Sequence, residues 1–152
     1  MPSFFKKKPL LDDSSQAKIV AAIQEAEART TGELRVFLES HCKYVNAMDR
    51  AQELFLELGM QHTERRNAVL IYMAIVDHQF AIVGDKEIYE KAGGPVFWSE
   101  AAAHLKALLV KGLLTEGLVA CINELGKALA THFPYDPAVH KNELPDEIVF
   151  GK

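Results

Sequence analysis

The amino-acid sequence predicts a three-layer α/β/α sandwich, with a small central mixed β-sheet flanked by helices on both faces. Three observations carry this. Residues 67–85, NAVLIYMAIVDHQFAIVGD, hold two apolar runs separated by an Asp-His pair, the pattern of a β-hairpin. The first run, 68–76, is apolar at every position and rich in β-branched and aromatic types, which suits a strand covered on both faces. Upstream, a strand-like alternation precedes an amphipathic helix. Strand, helix, strand in that order implies a right-handed crossover, so the first two strands run parallel and the third antiparallel to the second. A strand buried on both faces needs helices above and below it.

In chain order, Asp13 followed by Gln16 is a variant of the capping box, and Ile19, Ala22, Ile23 and Ala26 lay one apolar stripe on a helix over 14–29. Gly32 stops it, and Leu34, Val36 and Leu38 alternate with Arg35 and Phe37 in a first strand. After a polar loop at 41–46, Ala47, Ala51, Leu54, Phe55 and Leu58 mark a second helix closed by Gly59. The hairpin follows, with its tight turn at 76–79 and a short helical turn at 86–91. A helix over 96–111 carries Trp98, Ala101, Leu105 and Leu108 between Gly93-Gly94-Pro95 and Gly112. Thr115 is positioned to cap the last helix, whose stripe is Leu118, Ile122, Leu125 and Leu129 before Pro134 breaks it. The organisation is a flexible arm at 1–12, one α/β domain at 13–134, and an extended tail at 135–152 that packs on the domain as a surface strap or short edge strand.

Bulk properties narrow the function. At 152 residues the chain is one domain by length, enough to bury roughly 70% of its unfolded surface. A net charge of -4, with no like-charge run beyond Lys6-Lys7-Lys8, argues against a nucleic-acid partner. No apolar run reaches the roughly 20 residues of a membrane span, and the N-terminal stretch lacks an apolar core and a cleavage site. Cys42 and Cys121 form no motif spacing. The expectation is a cytoplasmic monomer. No dinucleotide fingerprint, P-loop, nucleophile elbow or zinc signature is present, so motifs name no enzyme.

Strand direction sorts the polar residues. Glu33 begins the first strand, Asn67 begins the second and Asp85 ends the third, so all three fall on one edge of the sheet. Two carboxylates and an amide oxygen are the hard-oxygen set that calcium or magnesium prefers. The opposite edge carries Asp77, His41, Cys42 and Asp49, off the carboxyl ends of the parallel strands, where open sheets tend to bind ligands. Each has an ordinary use as well. Asp77 suits a turn, Asp49 a helix first turn, and the first three can satisfy backbone N–H groups at loop ends.

A further set of short blocks comes in a recognisable order: Thr31-Gly32-Glu33-Leu34, Asp49-Arg50-Ala51, Leu54-Phe55, Leu58-Gly59-Met60, Asn67-Ala68-Val69-Leu70-Ile71-Tyr72, Phe80-Ala81-Ile82-Val83-Gly84-Asp85-Lys86, Phe97-Trp98, Gly117-Leu118 and His132-Phe133-Pro134. Over 14–150 the chain resembles the TPM domain family, named for a thylakoid phosphatase, a photosystem repair protein and a receptor modulator and found in many bacterial single-domain proteins. The resemblance implies an α/β sandwich, a divalent-cation site (calcium in relatives) and, from the plant branch, a weak acid phosphatase activity. Its blocks add weight to Glu33, Asn67 and Asp85. The chain departs from the pattern where Ala68 and Glu87 replace glycines; Glu87 is a further candidate carboxylate beside Asp49 and Asp77, or a cap of the short helix.

Two functions follow. The first is a calcium-binding or ligand-binding module without catalysis of its own. The alternative is a metal-assisted phosphomonoesterase in which Asp85 or Asp77 orients water or acts as base, and Arg65, Arg66 and Lys86 are the cations available to a phosphoryl group. A phosphorylated ligand or a protein partner docked on the tail segment NELPDEIVFG completes the expectations.

Overall fold

The structure, a computed structural model, describes residues 10–139 and 148–151. Its elements are helix α1 (Asp13–Glu27), strand β1 (Glu33–Glu39), helix α2 (Ala47–Glu57), strands β2 (Ala68–Ala74) and β3 (Gln79–Gly84), helices α3 (Lys86–Ala92), α4 (Pro95–Leu109) and α5 (Leu114–His132), and strand β4 (Val149–Phe150). Residues 1–9 of the expected arm at 1–12, including Lys6-Lys7-Lys8, and most of the NELPDEIVFG segment lie outside the described residues.

The sheet order is β3-β2-β1-β4. β1 runs parallel to β2 from Glu33↔Ala68 to Glu39↔Ala74, and β3 runs antiparallel to β2 from Val69↔Gly84 to Ala74↔Gln79. This is the crossover-plus-hairpin topology expected from strand order. β4 adds a short parallel edge at Phe37 and Leu38, so the tail does supply an edge strand.

Both faces of the sheet are covered, unequally. Leu34, Val36 and Leu38 of β1 and Val69, Ile71 and Met73 of β2 join the larger core with the stripes of α1, α4 and α5. On the other face Phe37, Leu70, Tyr72 and Ala81 meet Ala51, Leu54 and Phe55 of α2, the one helix in that cluster. Close approach needs glycine at Gly126 of α5, where a Cβ would lie 2.8 Å from Ala26 Cβ of α1. It needs glycine again at Gly84, where a Cβ would lie 2.5 Å from the Trp98 ring.

Local departures from expectation have physical causes. The α1 cap is Asp12, whose Oδ1 accepts from Ser15 N at 2.7 Å, and this displaces the expected start by one residue. Thr115 lies inside the first turn of α5, and Leu113 at the cap position makes no side-chain hydrogen bond. β2 stops at Ala74 although the apolar run continues. Ile75 N and Val76 N still donate to Glu39 O and Ser40 O, but Val76 is 56% exposed and His78 takes a positive φ of 54° in the hairpin loop. All of β1 is buried, Arg35 and Glu39 included, and Arg50 of α2 reaches the Glu39 carboxylate. Among the described residues no helix is long and apolar enough to cross a membrane.

Candidate functional site

Glu33 opens β1 opposite Ala68, and Asp85 N donates to Ala68 O at 2.9 Å directly after β3 ends. Glu33, Asn67 and Asp85 therefore share one edge of the sheet. Their side chains do not share one direction. Glu33 lies on the face of its partner Ala68, and strand alternation turns Asn67 to the other face. There Asn67 Nδ2 donates to Thr31 Oγ1 at 3.2 Å, and Asn67 N donates to Thr63 Oγ1 at 3.4 Å.

Asp85 is 6% exposed, and both its oxygens are engaged. Arg66 Nε donates to Oδ2 at 2.7 Å and Arg66 Nη2 to Oδ1 at 2.8 Å, while Oδ1 also accepts from Lys86 N at 2.8 Å as the N-cap of α3. The hydrogen bond to Asp85 is the main cause that raises the Arg66 pKa, with the carboxylate charge second. Arg66 holds a positive φ of 51°, and its carbonyl accepts from Glu87 N at 3.1 Å and Ile88 N at 3.4 Å. One arginine thus fastens the α3 terminus twice, by guanidinium and by backbone. Calcium takes about 6–8 oxygens, and the Arg66 and Lys86 N–H groups already occupy three of the roughly four lone-pair sites of Asp85. Among the described residues no group of three His, Cys, Asp or Glu side chains could hold a metal ion.

Beside this pair lies an open depression of about 480 Å³ with Arg65, Arg66, Lys86 and Lys91 in its lining, against Glu64 and Glu87. Arg65 reaches Asp136 at 3.6 Å, and Lys91 Nζ sits 5.5 Å above the Phe133 ring. Lys86 and Lys91 make no ion pair among the described residues. Glu87, the replacement for a glycine, stands in the first turn of α3 and on the rim of this depression.

At the opposite edge Asp77 meets His41 Nδ1 at 2.9 Å and accepts from Cys42 N at 2.7 Å; the His41 contact, then the Cys42 amide, hold its carboxyl below the usual range. Cys42 Sγ points to Tyr44 O at 3.4 Å, so His41 and Cys42 do not form a base and nucleophile pair. Asp49 is exposed in the first turn of α2. Behind them is a buried network that sequence reasoning missed. Glu39 accepts from Tyr72 OH at 2.5 Å and from Arg50 Nε and Nη2 at 3.0 and 3.2 Å, and Arg50 Nη1 donates to Glu53 at 2.7 Å. Burial alone raises Glu39, but hydrogen bonds from Arg50 and Tyr72 outweigh it and hold the carboxyl below its ordinary value. Burial, then the Glu39 carboxylate, pushes the Tyr72 hydroxyl up.

The TPM domain model matches residues 5–128. The chain is similar to BA42 from the psychrophilic bacterium Bizionia argentinensis, solved by NMR, with a TM-score of 0.86 and 36% identity over 96% of this chain and 99% of that one. The N-terminal domain of cg2496 from Corynebacterium glutamicum aligns with a TM-score of 0.65 over 95% of this chain and 93% of that one; at 14% identity the likeness is one of fold. No curated protein matches the chain.

Proposed function

The chain belongs to the TPM domain family, and from that premise and the geometry of its Asp85 edge we propose that it is a binding module for a small phosphorylated ligand, without catalysis of its own. The observation that carries this reading is the depression shared by Arg65, Arg66, Lys86 and Lys91, two of whose ammonium groups have no ion-pair partner among the described residues. Cations converging on a concave surface are what an oxyanion requires. Asp85, with its oxygens on Arg66, is poorly placed to act as a base.

Titration of inorganic phosphate and phenyl phosphate into isotope-labelled protein at low salt should move the amides of 64–66 and 86–91 together. Replacing both Lys86 and Lys91 by Ala should weaken binding about tenfold or more, equivalent to about 1.4 kcal/mol. The affinity should also fall with added salt. No shift at these amides at about 10 mM ligand, far weaker than the 1 mM benchmark, would remove the site.

A second reading joins the cation and the phosphatase: a divalent ion on Asp85, with Asn67 on the same edge, serving phosphomonoester hydrolysis. The half-exposed Arg66 side chain, 45% accessible, favours it because it can swing away. In Arg66→Ala, millimolar calcium should then shift the amides of Gly32, Asn67 and Gly84, and hydrolysis of an aromatic phosphate should disappear when Asp85→Asn is added. If neither signal is seen, this second reading is wrong.

A further inference from the structure

We propose that Asp85 is a positioning residue. It aims Arg66 so that the free side of the guanidinium meets a doubly charged oxyanion in the depression, and it touches no ligand itself. This rests on the phosphorylated-ligand reading above and assigns the roles within that site.

Arg66 Nε and Nη2 lie on the two Asp85 oxygens at 2.7 and 2.8 Å, a bidentate contact that fixes the plane of the guanidinium. Its Nη1 group makes no hydrogen bond among the described residues, although the side chain lines the depression and is 45% accessible. The backbone is held too. Arg66 takes a φ of 51°, which a non-glycine residue adopts only when its surroundings impose it, and here the imposing contacts run from Glu87 N and Ile88 N to its carbonyl.

Those contacts have a second effect. The N–H groups of Lys86, Glu87 and Ile88 at the start of α3 already have acceptors in Asp85 and Arg66, so an anion in the depression must rely on side chains. Lys86 and Lys91 supply point charges with rotatable donors, whereas Arg66 supplies a fixed fork. The selectivity of the site for a dianion's geometry therefore rests on Arg66, and through it on Asp85.

The sign of one substitution separates positioning from simple electrostatics. Asp85→Asn removes a negative charge beside the anion, so Coulomb attraction alone would tighten phosphate binding. A released Arg66 fork would weaken it. Asn is as good a helix cap as Asp, so α3 keeps its start. Inorganic phosphate is titrated into wild type, Asp85→Asn and Arg66→Lys, with amide dispersion confirming the fold. The expected result is a fall of about tenfold for both variants, since Lys keeps the charge but loses the fork. Equal or tighter binding by Asp85→Asn, or unchanged binding by Arg66→Lys, overturns the assignment while leaving the ligand reading intact. Wild type that binds no phosphate overturns both.

Discussion

A Glu39→Ala variant should lose about 3 kcal/mol of stability, with the loss concentrated above acid pH. Stripping one partner from a buried ion pair costs about 3–5 kcal/mol because the other charge stays behind without compensation. Arg50, whose side chain is 15% exposed, would keep Glu53 at 2.7 Å, which sets the expectation at the low end. Tyr72 OH would also lose its acceptor inside the smaller core. The pH dependence has a definite sign. Glu39 is held below its ordinary value, so its contribution is present above the unfolded glutamate pKa of about 4.3 and is lost as pH falls through the lower folded value. Urea unfolding at neutral pH and across the acid range checks both parts. A loss under about 1 kcal/mol, the scale of a surface pair, or an acid slope identical to that of wild type, would show that the network contributes little.

The second large effect is steric. In Gly84→Ala the new Cβ would lie 2.5 Å from two atoms of the Trp98 ring. The ring has little room to retreat: it stacks on Tyr89 at 5.8 Å between centroids, takes the edge of Phe97 at 5.1 Å, and donates from Nε1 to Tyr89 O at 3.0 Å. Overpacking of this kind costs about 1–3 kcal/mol, and the upper half of that range is expected here. In a Trp98→Leu background the same alanine should cost under about 1 kcal/mol, so a double-mutant cycle should return a coupling of about 1–3 kcal/mol. A cycle that closes additively would place the strain elsewhere than at Trp98.

Period and direction made most of the fold legible. The hairpin, the parallel pairing of β1 with β2 and the placing of Glu33, Asn67 and Asp85 on one edge all follow from alternation and chain order, which are local properties. What stayed hidden depends on neighbours distant in sequence. Arg35 and Glu39 look like solvent-facing residues of a half-buried strand, yet the fold buries both; Glu39 meets Arg50 of α2, and its other polar partner, Tyr72, stands inside an otherwise apolar run. The pairing of Asp85 with Arg66 was hidden because Arg66 lies in the loop before β2, and no periodicity reports that its backbone turns left-handed there. Arg65, Arg66 and Lys86 were visible as charges, whereas their meeting with Lys91 in one depression was not.

The tight seam of α1 against α5, where Gly126 lies under Ala26, also bears on how the chain is made. On a ribosome, α1 emerges well before α5, and the part of its buried stripe that packs on α5 must wait for a helix that begins at Leu114. Meanwhile the α2 layer and the β1–β2–β3 sheet have all their parts. Long sequence separation slows the closing step. Synthesis at about 5–20 residues per second leaves the apolar side of α1 uncovered for several seconds, the interval in which a nascent chain is most open to chaperones and to its own neighbours.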